Sequence, residues 1–157
     1  MHPELVDMEG QLLKAETLKV LKDTLNQSFD NPKNWVLTWF DEELKKVFGV
    51  DIYEFPFNFS KGYTIIKSKK ISILTMKLER LDQCFQEAIS LFLDMKDLKL
   101  LKQNMTEQKF YYDTYKYIQS NITFDEEFCE KVYSSKFARH FYSPAEIESF
   151  IAKWTRK

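Results

Sequence analysis

The spacing of apolar and polar residues changes period several times along this chain, and each change predicts an element. The sharpest change falls in KISILTMKLERLDQCFQEAISLFL, residues 70–93. Its first part, Ile71-Ser72-Ile73-Leu74-Thr75-Met76, is short, apolar and partly β-branched, which predicts a buried strand. Leu78, Leu81, Phe85, Ala88 and Phe92 then recur every three or four residues, the apolar stripe of an amphipathic helix over 79–95. A strand that feeds directly into a helix is half of a layered unit. Just upstream, residues 63–67 suit a second strand, pairing with 71–76 across a lysine-rich turn.

The rest of the chain reads mainly as helix. Leu5, Met8, Leu12, Ala15, Leu18, Leu21 and Leu25 share one face of a helix over 4–28, stopped by Asp30-Asn31-Pro32. Thr38 is placed to cap a second helix, with Asp41 facing its free amides. That helix is expected to bury Phe40, Leu44, Val47 and Phe48 and to end at Gly49. Residues 50–62 lack a period and are expected to form an ordered loop pinned by Tyr53, Phe55, Phe57 and Phe59. A tyrosine-rich helix is expected over 106–120, and Thr123 with Glu126 forms the pattern of a capping box for a helix carrying Phe128, Cys129 and Val132. Ser143, Pro144 and Glu146 are the strongest helix start in the chain, and Ile147, Phe150, Ile151 and Trp154 give that helix its apolar face.

Composition narrows the possibilities. A chain of 157 residues with 44% hydrophobic content suits one domain, 1–157, with a real core. A net charge of -1 gives no footprint for nucleic acid, and no apolar run reaches the length of a transmembrane segment. Cys84 and Cys129 fall inside helical patterns without metal spacing, which points to reduced, buried thiols and a cytoplasmic setting. Only three glycines are present, and none sits between a strand and a helix, so no backbone cradle for a nucleotide phosphate is recognisable.

Candidate chemistry centres on YSSKFARHFY, residues 133–142. Ser134, Ser135, Lys136, Arg139, His140 and Tyr142 lie just before the helix start at Ser143, and two cations with hydroxyl donors there suit an anion. Lys136, Arg139, His140 and Ser143 are the quartet expected to hold it. The plainer alternative is a loop anchored by Phe137, Phe141 and Tyr142 with solvated cations. Glu79, at the strand-to-helix junction, stands where open α/β sheets bind ligands, or is simply an acid in a helix's first turn. Trp39, Tyr111, Tyr112, Tyr115 and Tyr117 could stack on a sugar, although aromatic residues at helical spacing more often form core.

Three stretches carry a family resemblance: WFDEELKKVFGVDIYEFPFNFSKGY, ISILTMKLERL and KFARHFYSPAEIESFIAKW. Together they resemble the C-terminal half of sulfotransferase-like proteins, and more narrowly bacterial capsular polysaccharide synthesis proteins. Leu78-Glu79-x-Leu81 is similar to the Glu-x-Leu signature that ends a sulfotransferase strand. The resemblance implies a P-loop-related α/β ancestry, 3′-phosphoadenosine 5′-phosphosulfate as donor and a carbohydrate hydroxyl as acceptor. The family's phosphosulfate loop is not recognisable before Trp35, so this chain is expected to correspond to the acceptor-side half and to bind no such donor alone. The expectation is therefore an α+β fold, mostly helical with a small β element. It would act as a sulfotransferase-like protein of capsule biosynthesis with Glu79 and Trp39 near substrate, able to dimerise through an exposed apolar face. A non-catalytic helical interaction module is the alternative.

Overall fold

The computed structural model describes residues 13–31, 34–69, 71–101 and 106–155. In chain order these form α1 (Lys14–Asp30), α2 (Trp35–Trp39), a π-helical stretch (Phe40–Lys45), α3 (Lys46–Phe48), β1 (Tyr63–Lys67), β2 (Ser72–Met76), α4 (Leu81–Leu93), α5 (Tyr112–Asn121), α6 (Glu126–Tyr133), α7 (Lys136–Phe141) and α8 (Pro144–Thr155). The architecture is α+β: mostly helical, with one two-stranded antiparallel sheet among the described residues. The chain falls into two compact units. One comprises residues 1–34, 102–133 and 148–157; the other comprises 35–101 and 134–147.

The second unit is organised around the hairpin. Tyr63 pairs with Met76, Ile65 with Leu74 and Ile66 with Ile73, so the strand expected over 71–76 and its partner are both present. Because side chains alternate across a strand, the pairing sorts them onto two faces. Tyr63, Ile65, Leu74 and Met76 pack with Cys84 and Ala88 of α4. Ile66 and Ile73 face the other way, into a core of Val50, Ile52, Phe57 and Phe141. Both faces are covered, which is why β2 reads as a continuous apolar run rather than an alternating one. Yet β2 is only half-buried, not buried as expected, because a two-stranded ribbon pairs each strand on one side only.

Gly62 precedes β1 at φ 75°, and its carbonyl accepts the Lys77 amide at 2.8 Å. A Cβ at Gly62 would come within 3.1 Å of the Arg80 side chain, so the position needs glycine for space as well as for conformation. Past β2 a single 3-10 turn, Leu78–Arg80, leads into α4, which starts two residues later than its apolar period implied. Ala88 and Cys84 are the buried centre of α4, while Leu81, Phe85 and Phe92 are half-buried. Leu78 is 79% exposed, because the turn takes it off the helical stripe.

The helical run from Trp35 to Phe48 corrects the expected second helix. It begins three residues before Thr38, which therefore lies inside it rather than capping it. Six of its residues are π-helical, which shifts the periodicity that placed Val47 and Phe48 on the buried side; both are exposed. Phe40 and Leu44 pack on the core as expected, and Gly49 ends the run in the left-handed conformation at φ 70°. The aromatic loop after it contains a 3-10 turn, Ile52–Glu54, with Asp51 accepting the Tyr53 amide. Phe57 is buried and Tyr53 and Phe55 pack on the core, whereas Phe59 lies at the surface.

The first unit is built on aromatic packing. Phe29 of α1 meets Phe128 of α6 edge-on at 5.6 Å, and Phe124 stacks on Phe128 at 4.6 Å. Lys131 of α6 pairs with Asp30 of α1, and the Phe124 amide donates to the Trp154 carbonyl at 2.9 Å. Asp125, not Thr123, supplies the cap of α6: its carboxylate accepts the Phe128 amide at 2.7 Å. The expected first helix is present from Lys14; its proposed stretch from 4 to 12, with Leu5, Met8 and Leu12, lies outside the described residues. The tyrosine-rich helix starts at Tyr112 rather than 106, and Tyr111 and Tyr115 are exposed rather than core.

Candidate functional site

The period-two alternation of β2 continues one residue beyond Met76. It places Lys77 on the same side as Ile73, facing the aromatic residues, with its backbone held extended by the bond to Gly62. The ammonium is consequently enclosed: only 3% of the side chain is exposed. Its Nζ lies 2.6 Å from Glu146 Oε1, 4.6 Å from the centre of the Tyr142 ring, 5.6 Å from Phe59 and 5.8 Å from Phe57. A buried cation needs a paired charge and polarisable walls, and here it has both.

The partners of Lys77 come from the start of α8. Ser143 and Glu146 form the reciprocal capping box expected from their spacing. Glu146 Oε2 accepts the Ser143 amide and hydroxyl at 2.8 Å each, and Ser143 Oγ accepts the Glu146 amide at 3.3 Å. Burial pushes the Glu146 carboxyl up, but the bonds from Lys77 and Ser143 outweigh it and hold the group below its ordinary value. Tyr142 presents its ring face to Lys77 and donates its hydroxyl to Glu79 Oε1 at 2.9 Å. Lys77, Glu79, Tyr142, Ser143 and Glu146 thus form one connected group at the C-terminal end of β2.

The anion cluster expected over 133–142 is a short helix rather than a loop. Ser135 caps α7 by accepting the Ala138 amide at 3.2 Å, and Phe137 and Phe141 stack against Phe40 at 6.1 and 5.4 Å. Lys136 lies 3.8 Å above the Tyr53 ring and 3.8 Å from Asp41 Oδ1. His140 meets Tyr53 edge-on at 5.1 Å; burial, reinforced by the Lys136 charge, lowers its pKa and favours the neutral imidazole. The Tyr53 phenol is pushed up to about 12 by burial and by the Asp41 and Asp51 charges. Its hydroxyl is enclosed and has no hydrogen-bond partner. Ser143 is committed to Glu146. Among the described residues, Arg139 is the one member of the quartet whose charge carries neither an ion pair nor a ring contact.

A phosphosulfate donor fits this set poorly. Its charge calls for backbone amides in a nest as well as several free cations. Among the described residues, the glycines with positive φ are Gly49, which follows a helix, and Gly62, which precedes a strand, and neither lies between a strand and a helix. Among the described residues no group of His, Cys, Asp and Glu could hold a metal ion. Both cysteines are buried free thiols.

Sequence reasoning singled out Glu79 and missed its partners. Lys77 had a readable signal, a charge in phase with Ile71, Ile73 and Thr75 on one strand face. Tyr142 belongs in sequence to the 133–142 cluster, either as a hydroxyl donor or as a loop anchor, and nothing in its spacing links it to Glu79. Trp39 is exposed and packs edge-on against Phe40 at 5.1 Å; no hydrogen bond or ring contact joins it to Glu79 among the described residues.

The fold and this group define an α+β protein whose hairpin end carries an acidic, aromatic surface over an enclosed lysine. Residues 11–143 match the family described as "Putative capsular polysaccharide synthesis protein", and the chain belongs to that family. No curated protein and no solved structure matches the chain. Among the described residues no helix is long and apolar enough to cross a membrane.

Proposed function

We propose that this chain serves capsular polysaccharide synthesis by holding a carbohydrate acceptor at Glu79 and Tyr142. The observation that carries this reading is the 2.9 Å bond between Tyr142 and Glu79 at the C-terminal end of β2, on an exposed carboxylate. Sugar hydroxyls are recognised by carboxylates that accept from them and by aromatic rings beside them. Glu79 keeps its second oxygen available, and the bond from Tyr142 fixes the orientation of the first. Behind the pair, Lys77 and Glu146 hold Tyr142 against the end of the strand.

In the sulfotransferase-like form of this reading, the hydroxyl held at Glu79 is the acceptor of a sulfuryl group. The resemblance around Leu78-Glu79-x-Leu81 supports it. Of the expected anion-binding residues, Lys136 and His140 both lie against Tyr53 and Ser143 bonds Glu146, so the transfer itself is not assigned to them. Complementation tests the function: in cells lacking the gene, Glu79→Gln and Tyr142→Phe should each fail to restore capsule. Loss of one hydrogen bond to a charged group should weaken acceptor binding about tenfold or more. Wild-type capsule from both variants would overturn the site. Capsule restored by the wild-type gene without gene-dependent incorporation of labelled sulfate would overturn the sulfuryl form while leaving the acceptor site standing.

A further inference from the structure

The first unit contains two adjoining cavities, one apolar and one of mixed, more polar lining. One, of about 370 Å³, is walled almost wholly by apolar groups, among them Leu25, Phe29, Ile118, Phe128, Val132 and Trp154. The other, of about 460 Å³, sets Lys19, Lys22, Asp23, Asn26 and Asp125 beside the apolar Ala15 and Leu18. Phe124 lines both, and Lys22 Nζ lies 5.8 Å from the centre of its ring. We propose that this pair of cavities binds an amphiphile, with a hydrocarbon tail in the apolar cavity and a neutral, hydroxyl-rich sugar head group in the polar one.

The tail assignment follows from the lining: a space walled by apolar side chains gains most from an occupant that removes those walls from water. The head assignment follows from charge. Among the described residues, two ammonium groups and two carboxylates line the polar cavity and balance in formal charge, so neither an anionic nor a cationic head is favoured by them. Together with Asn26 they offer donors and acceptors side by side, which is what a set of hydroxyls requires. The Asp125 carboxylate retains an oxygen beyond the one that caps α6. The choice of a sugar head rests on the carbohydrate reading of the family, whereas the tail cavity stands independently of it.

Calorimetry on the whole chain, with alkyl maltosides below their micelle thresholds as probes, tests the proposal. Lengthening the alkyl chain should tighten binding about fourfold per methylene until the tail outgrows the cavity. Maltose alone should bind far more weakly, and decanoate should bind at least about tenfold more weakly than decyl maltoside. Val132→Trp fills the tail cavity and should abolish binding. Ile118→Phe serves the same purpose if that variant fails to fold by circular dichroism. Asp23→Ala with Asn26→Ala should remove the preference for maltoside over decanoate. Affinity independent of chain length, or unchanged in a folded cavity-filled variant, would overturn the proposal. So would decanoate binding as tightly as the maltoside, or a dimer that dissociates as ligand binds, which would place a second copy of the chain in the cavity. Capsule complementation reads Glu79 and this titration reads the first unit, so either result can fail alone.

Discussion

Lys77 and Glu146 are 2.6 Å apart with the lysine enclosed, so removing one partner strands the other. Lys77→Met should cost roughly 2–3 kcal/mol, below the ~3–5 kcal/mol of a fully buried pair because Glu146 can regain some water. Urea denaturation would measure it, and adding Glu146→Gln should recover part of the loss. The pair also sets an acid dependence. Glu146 titrates below its ordinary value of 4.5 in the folded chain, so its contribution is complete above that pH and is lost as pH falls through the depressed value. Lys77→Met should flatten the acid side of the stability profile. His140 gives a second window. Its folded pKa lies below the ordinary 6.5, so the unfolded chain binds its proton first. Stability from this residue is full above pH 6.5 and declines as pH falls toward the folded value. His140→Phe should remove that decline, seen as melting temperatures that change less between neutral and mildly acidic buffer.

Helix starts are where single elements can be tested. Ser143 and Glu146 satisfy each other's amides at α8, and Glu146 also meets Lys77, so the cap and the site share one carboxylate. Ser143→Ala should lower stability by about 1 kcal/mol from the cap alone. It should also loosen Glu146, so its effect and that of Lys77→Met should not add. In α4, Ala88 is fully buried against the hairpin, and Ala88→Leu should cost about 1–3 kcal/mol through overpacking. Phe85→Ala, on the half-buried flank of the same helix, should cost less than the 3–5 kcal/mol typical of a buried phenylalanine. Denaturant melts of the two variants would measure both, and a loss of about 3–5 kcal/mol at Phe85→Ala would contradict its half-buried place on α4.

At the scale of the whole molecule, large apolar side chains remain at the surface. Trp35, Val47, Leu78, Leu101 and Phe110 are each more than 60% exposed. Scattered exposed residues are ordinary, but this many large ones favour self-association or a covering partner. Sedimentation at rising concentration should show association, reduced by Trp35→Ser with Leu78→Ser. A strict monomer across the range would show that these side chains act singly.

The sequence alone determined the elements whose cause is local. The two strands, the stop at Gly49 and the Ser143–Glu146 cap follow from residue spacing over a few positions, and each is present. It also determined the charge balance and the family, since these reside in the order of residues and not in their packing. Tertiary structure decided what depends on distant neighbours. Thr38 has the chemistry of a cap, yet the helix begins at Trp35 and passes through it, and Phe40 and Leu44 further along pack on the aromatic core. Six π-helical residues then turned Val47 and Phe48 outward, a shift that a regular period cannot foresee. The basic cluster near Lys136 looked like a site in sequence, but folding placed its lysine on Tyr53 and its serine on Glu146. Lys77 looked like an ordinary surface lysine, and strand alternation combined with residues more than sixty positions away enclosed it. Local rules choose the elements because their energies are local; the site was decided by long-range pairing, whose partners no short window contains.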